Sequence, residues 1–202
     1  MIVIVDYGMG NVASVGNMIR RIGGEVKLSA SPDEVRLADR LILPGVGSFD
    51  PGMRALAERS LDAAVKEAVR VRGARLLGIC LGMQLLLESS EEGALPGLGL
   101  VAGRVRRFRV KEQGLRVLHM GWNVARPTAK SRLFSPEDDE QRFYFVHSYH
   151  AECADSRDVS AIAQYGYDFA CAVEKAEVMG VQFHPEKSHR FGMALLQRFA
   201  AP

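Results

Sequence analysis

The first 80 residues repeat one pattern: a short apolar run, a glycine or proline, then a stretch of helical period. MIVIVDYG is a short β-branched strand, glycines 8 and 10 mark a loop, and residues 12–22 are amphipathic. A strand restarts at 25–28, a short helix follows Ser31-Pro32 over 33–38, and RLILPGVG (40–47) is an apolar run closed by Pro and Gly. Residues 55–71 read as one helix, with Leu56, Leu61, Val65 and Val69 near helical spacing, and ARLLGIC (74–80) is the next buried strand. Wholly apolar strands alternating with helices form parallel sheets covered on both faces, so the pattern predicts an α/β fold with a mostly parallel open sheet flanked by helices.

After residue 92 the character changes. EEGALPGLGLVAGRVRRFRV carries Gly and Pro at close intervals, then a strand mixing Val105, Phe108 and Val110 with four arginines. RFYFVHSYH (142–150), SAIAQYG (160–166) and EVMGVQFHPE (177–186) are further strands, and helix returns only at 191–200. These read as antiparallel strands added to the same sheet. No internal repeat or low-complexity linker marks a boundary, so residues 1–202 are expected to form a single domain.

The 26 basic and 24 acidic residues leave a formal charge of +2, too small to draw the chain to nucleic acid or a membrane. No apolar run approaches the roughly 18 residues of a membrane span, and the opening lacks the flank and cleavage site of a signal peptide. A cytoplasmic protein is the expectation. Cys80, Cys153 and Cys171 are odd in number and scattered, which suits free thiols better than disulfides or a zinc site.

Function must therefore be read locally, and GICLGMQ (78–84) is the strongest local signal. Strand, glycine, one residue, nucleophile, one residue, glycine and helix is the pattern of a nucleophile elbow, here with Cys80 as nucleophile. Gly78 and Gly82 lack the Cβ atoms that would clash in so sharp a turn, and the Leu81 amide is placed to donate to an oxyanion. The alternative is that Cys80 is a small buried apolar group in a tight turn.

A thiol in acyl transfer needs a base and a group to orient that base. Among histidines 119, 147, 150, 184 and 189, His184 ends an apolar strand and precedes Pro185 and Glu186. Pro185 keeps His184 extended, and a period of two then points His184 and Glu186 to one side. A strand-ending turn with a surface carboxylate would share this sequence. His147 and His150 have a metal-like spacing, but three residues apart on a strand they face opposite ways, so no metal site is expected. GMGNVA (8–13) fits a dinucleotide-binding loop, yet the acidic residue due at the end of the second strand is missing. A Cys-dependent esterase or redox sensor also remains compatible with the elbow.

GICLGMQ, PGVGSF (44–49) and GVQFHPEKS (180–188) together resemble the triad-type, class I glutamine amidotransferases. Within that family DYGMGN (6–11), HMGWN (119–123) and YFVHSYH (144–150) resemble the glutaminase subunits of imidazole glycerol phosphate synthase, and the motifs run in matching order from Asp6 to Ser188. The resemblance implies a flavodoxin-like sheet, a Cys80–His184–Glu186 triad, and an oxyanion hole from Leu81 with the backbone around Gly45 and Val46. Gly47, Gln84, Glu92, Ser148 and Tyr149 would hold glutamine, Glu92 meeting its ammonium. It further implies ammonia transfer to a (β/α)8-barrel cyclase subunit as a heterodimer, faced by Met9, Asn11, Trp122, Asn123, Tyr144 and Lys187, without any cofactor. Leu118 stands where the family often has proline. A glutaminase serving another synthase shares the catalytic motifs, so that alternative stays open.

Overall fold

The computed structural model describes residues 1–128, 131–135 and 140–201. In chain order its elements are β1 (Ile2–Val5), α1 (Val12–Arg21), β2 (Val26–Ser29), α2 (Pro32–Leu37), β3 (Arg40–Gly45), α3 (Phe49–Glu58), α4 (Leu61–Arg70), β4 (Arg75–Cys80) and α5 (Leu81–Leu85). The second half follows with β5 (Ser89–Ser90), β6 (Gly103–Arg107), β7 (His119–Val124), β8 (Arg126–Pro127), β9 (Arg142–His147), β10 (Tyr149–Cys153), β11 (Val159–Tyr165), β12 (Tyr167–Lys175), β13 (Val178–Val181) and α6 (His189–Ala200).

The main sheet runs β2-β1-β3-β4-β13-β12-β10-β6-β5, with β11 and β8 attached through β12. Its first five strands are parallel, and β12, β10 and β6 continue it antiparallel. The central parallel strands β1, β3, β4 and β13 are apolar over their buried length because helices cover both faces, whereas the edge strand β2 carries Lys27 and Ser29, and a separate core cluster lies on each side. Strand β13, although near the chain's end, inserts beside β4, pairing Val181 with Ile79. That insertion carries the segment after β13 to the end of β4 where Cys80 stands.

Three local expectations change. Residues 55–71 form two helices rather than one, with Ser60 left-handed at φ 55° between them. Leu56 and Leu61 are five apart, which no single helical face accommodates, so the chain turns and α4 buries Leu61, Ala64, Val65 and Ala68 afresh. RFYFVHSYH is not one strand. It breaks at Ser148, because β9 pairs with β7 in a separate two-stranded sheet while β10 pairs with β6 and β12. Finally, β12, the longest strand, has no counterpart in the sequence reading, since its small Ala and Cys residues give little apolar contrast. Among the described residues, no helix is long and apolar enough to cross a membrane.

Candidate active site

Cys80 ends β4 with φ 54° and ψ −111°, a backbone conformation L-residues rarely adopt. The flanking glycines explain how the turn closes. A Cβ on Gly78 would lie 2.7 Å from the Gly82 carbonyl oxygen, and one on Gly82 would run into the Leu43 carbonyl oxygen of β3. Leu81 is the first residue of α5, so its N–H has no partner within the helix. Gly45 pairs in register with Cys80, which sets the backbone of 45–47 beside the thiol.

His184 arrives from β13 and is held from two sides. Its N–H donates to the Tyr144 carbonyl (2.9 Å), and its carbonyl accepts from Ser188 Oγ (2.6 Å). Pro185 does keep His184 extended, at φ −103° and ψ 97°, but Pro185–Lys187 then form a 3-10 turn rather than continued strand. The turn, not a period of two, swings Glu186 back so that His184 Nδ1–H donates to its Oε1 at 2.7 Å. Both side chains are almost wholly buried. Burial pushes the His184 imidazole down, but the Cys80 thiol and the Glu186 carboxylate outweigh it and raise it to about 9. The thiol thus acts on the ring electrostatically, although His184 Nε2 has no aligned hydrogen-bond partner. Catalytic hydrogen bonds that are loose in a free enzyme commonly tighten on substrate binding.

A cleft of about 330 Å3 joins these elements and is lined by Val46, Gly47, Cys80, Leu81, Gln84, Glu92, Ser148, Tyr149 and His184, with Leu118, Val146 and His147 alongside. Every residue assigned from sequence to the triad, the oxyanion hole or glutamine therefore borders it, except Gly45 and Glu186, which stand directly behind Cys80 and His184. Gln84 is buried, its Nε2 donating to the Tyr149 carbonyl and to Gln182 Oε1, both at 3.1 Å. Glu92 Oε2 accepts the Phe49 N–H (2.9 Å), so it also caps α3. Burial and the nearby Asp50 raise the Glu92 carboxyl despite that hydrogen bond.

Two site residues escape the sequence reading. Gln182, fully buried, donates from Nε2 to Cys80 Sγ at 3.8 Å, and Ser188 links His184 to β9 by accepting the Tyr144 N–H at 3.0 Å. A glutamine inside the apolar run VMGVQF was the one available signal. His147 and His150 bond to separate partners, His119 and Tyr167, and among the described residues no group of three or more His, Cys, Asp or Glu could hold a metal. GMGN forms no open phosphate cradle, because Gly10 packs against the Pro44–Gly45 backbone.

The model of the family "Glutamine amidotransferase class-I" matches residues 3–201. The chain belongs to the class-I glutamine amidotransferases. It is 46% identical over 199 residues, 98% of both chains, to "Imidazole glycerol phosphate synthase subunit HisH 2" of Methanococcus maripaludis. It is also 46% identical over 202 residues, 99% of both chains, to "Imidazole glycerol phosphate synthase subunit HisH" of Bdellovibrio bacteriovorus. The structure of PurLQS from Thermotoga maritima matches with a TM-score of 0.75 over 98% of this chain and 96% of that one, at an identity of 18% that speaks for the fold alone. The dinucleotide-binding reading is thereby set aside.

Of the residues placed at a partner surface, three of this amidotransferase's side chains, Trp122, Tyr144 and Lys187, gather in one cluster, which His189 joins. Trp122 and Tyr144 are directly paired across β7 and β9, Lys187 Nζ lies 5.7 Å from the Tyr144 ring centre, and His189 stacks on Trp122. Trp122 is 46% exposed and Met120, on the same strand face, 58%. Met9 reaches the loop at Gly47, and Asn11 caps α1 by accepting the Ser14 N–H. Asn123 does not join the Trp122 cluster. Strand alternation turns it to the other face, where its Nδ2 donates to the Gln164 carbonyl (2.9 Å) and bonds His119 Nε2 (3.1 Å).

Proposed function

We propose that this chain hydrolyses glutamine at Cys80 and passes the ammonia to a cyclase subunit of imidazole glycerol phosphate synthase. The observation that carries the reading is that Cys80, His184 and Glu92 line one cleft, with Glu186 bonded to His184 from behind. The Cys80 thiolate attacks the side-chain amide carbon, and the carbonyl becomes an oxyanion facing the Leu81 N–H and the backbone at Gly45 and Val46. Pre-aimed donors matter here, since losing one costs about 10²–10³ in kcat. His184, held as imidazolium by Glu186, gives its proton to the departing nitrogen, and ammonia leaves. Water, deprotonated by His184, then attacks the thioester carbon, releasing glutamate and restoring the thiol. Gly47, Gln84, Ser148 and Tyr149 hold the glutamine, and Glu92 pairs with its ammonium.

The relatives' names support the partner. The exposed patch of Trp122, Tyr144 and Lys187, with Met9 and Asn11 nearby, suits docking onto a (β/α)8-barrel cyclase as a heterodimer, since aromatic anchors dominate such interfaces. The cyclase would use the ammonia to make imidazole glycerol phosphate and aminoimidazole carboxamide ribotide. Glutamate release from glutamine, measured for the chain alone and then with the cyclase and its nucleotide substrate, tests both halves. Low turnover alone, strong stimulation by the partner and loss of both in Cys80→Ala are expected. Vigorous turnover by the isolated chain would refute the dependence on the partner, and stimulation surviving in Cys80→Ala would refute the thiol.

A further inference from the structure

Beside the cleft, which His147 borders, lies a pair of buried histidines that the chemistry above does not use. His119 and His147 face each other in register across β7 and β9, and His119 Nδ1 lies 2.9 Å from His147 Nε2. Their proton positions follow from their outer partners. His147 Nδ1 lies 2.7 Å from the Tyr149 carbonyl, which can only accept, so Nδ1 carries the proton and Nε2 is an acceptor. His119 must then donate from Nδ1, leaving its Nε2 to accept from Asn123 Nδ2 at 3.1 Å. Asn123 spends its second amide proton on the Gln164 carbonyl and accepts the Val124 N–H with its oxygen. Every donor and acceptor on these three side chains is matched in one direction only.

The same run continues into the site. The Tyr149 carbonyl that ends it also accepts from Gln84, Gln84 donates to Gln182, and Gln182 donates to Cys80 Sγ. The rings are locked in place by apolar neighbours. Tyr165 stacks on His119 with ring centres 4.3 Å apart, Phe145 lies 4.9 Å from it, and Phe108 packs 5.2 Å from His147. Strand β7 thus presents Met120 and Trp122 to solvent on one face and His119 to this network on the other.

We propose that His119 and His147 are positioning residues, a directional hydrogen-bond relay that fixes Tyr149, Gln84 and Gln182 around the nucleophile and couples their placement to strand β7. The inference deepens the reading of the Cys80 cleft as a glutaminase site and rests on it. Burial keeps both imidazoles neutral, lowering His119 to about 4 and His147 to about 3, as a relay with a single direction requires.

Two measurements test it on the full chain. Nitrogen-15 spectra of histidine-labelled protein at pH 7 should show two neutral rings protonated at Nδ1, the form less favoured by free imidazole side chains. Either of these two rings, each assigned through its loss in the matching His→Asn variant, found protonated at Nε2 alone or at both nitrogens overturns the relay. Steady-state glutamine hydrolysis is then compared for His119→Leu and His119→Asn with the cyclase and its nucleotide present. Leu fills the space without a donor, whereas Asn offers a donor near the Nδ1 position but leaves more of the space empty. The relay predicts a fall of about tenfold in kcat/KM for Leu and recovery of most of it by Asn. A packing role predicts the reverse order, and that order, or two variants equal to the parent, overturns the proposal. Absence of glutamine hydrolysis in the parent would instead strike the proposed function, while the nitrogen spectra would still decide the relay.

Discussion

Replacing Glu186 by Gln isolates what the carboxylate charge does for His184. The amide keeps an oxygen acceptor where Oε1 now meets His184 Nδ1 at 2.7 Å, and removes only the negative charge. The imidazole stands at about 9 against an ordinary 6.5. At about 1.4 kcal/mol per pKa unit, the folded site favours imidazolium by about 3 kcal/mol. Burial works against that charge, and the Cys80 thiol and Glu186 overcome it together. With the Glu186 charge gone, burial is opposed by Cys80 alone, and His184 should fall by roughly one to two units.

The consequence depends on pH in a way that orientation alone cannot imitate. With the value lowered to about 7.5, the protonated fraction at pH 8.5 drops from about three-quarters to about one-tenth, while at pH 6.5 both enzymes stay at least about nine-tenths protonated. Because His184 as imidazolium must protonate the departing nitrogen, kcat/KM for glutamine should fall about eightfold more at pH 8.5 than at pH 6.5. The assay is glutamate release across pH 6 to 10 with the cyclase present, for parent and Glu186→Gln. An equal loss at every pH would mean that Glu186 acts only by holding the ring, and a basic limb that moved upward would contradict the electrostatics altogether.

Cys80→Gly should melt higher than Cys80→Ala, by the equivalent of about 1 kcal/mol, the reverse of the usual order, because φ 54° at this position strains any side chain; a lower melting temperature for the Gly variant would refute backbone strain at the elbow. Glu92→Gln should raise KM for glutamine about tenfold or more with less effect on kcat, since a charge-assisted bond to the substrate ammonium is lost. Its thermal stability should stay nearly unchanged, because the amide oxygen can still accept the Phe49 N–H; an unchanged KM would remove Glu92 from the substrate. His119 and His147, depressed to about 4 and about 3 by burial, stabilise the fold fully above pH 6.5 and lose that contribution as pH falls toward those values. Urea unfolding should therefore show a loss of about 2–4 kcal/mol between pH 7 and pH 5, and His119→Leu should flatten that slope.

The parallel half of the sheet is legible in the sequence because β1 is apolar throughout and β3 and β4 are apolar after their first residues, Arg40 and Arg75, as strands buried on both faces are. The elbow is legible for a similar reason, since Gly78 and Gly82 answer a clash that is local to the chain. What joins Cys80 to the HPE segment is not local. Gln182 and Cys80 are 102 residues apart and meet only because β13 inserts beside β4, which no periodicity announces. Ordered motifs stood in for that topology. The relay lies one step further from view, because His119 and His147 meet through the register of β7 on β9, and register between strands far apart in the chain leaves no mark on either strand. Each histidine alone is an unremarkable polar residue on a strand. Their pairing makes a polar path through a core of aromatic rings, where one missing donor would leave a buried acceptor unmatched and the strands above Cys80 free to shift.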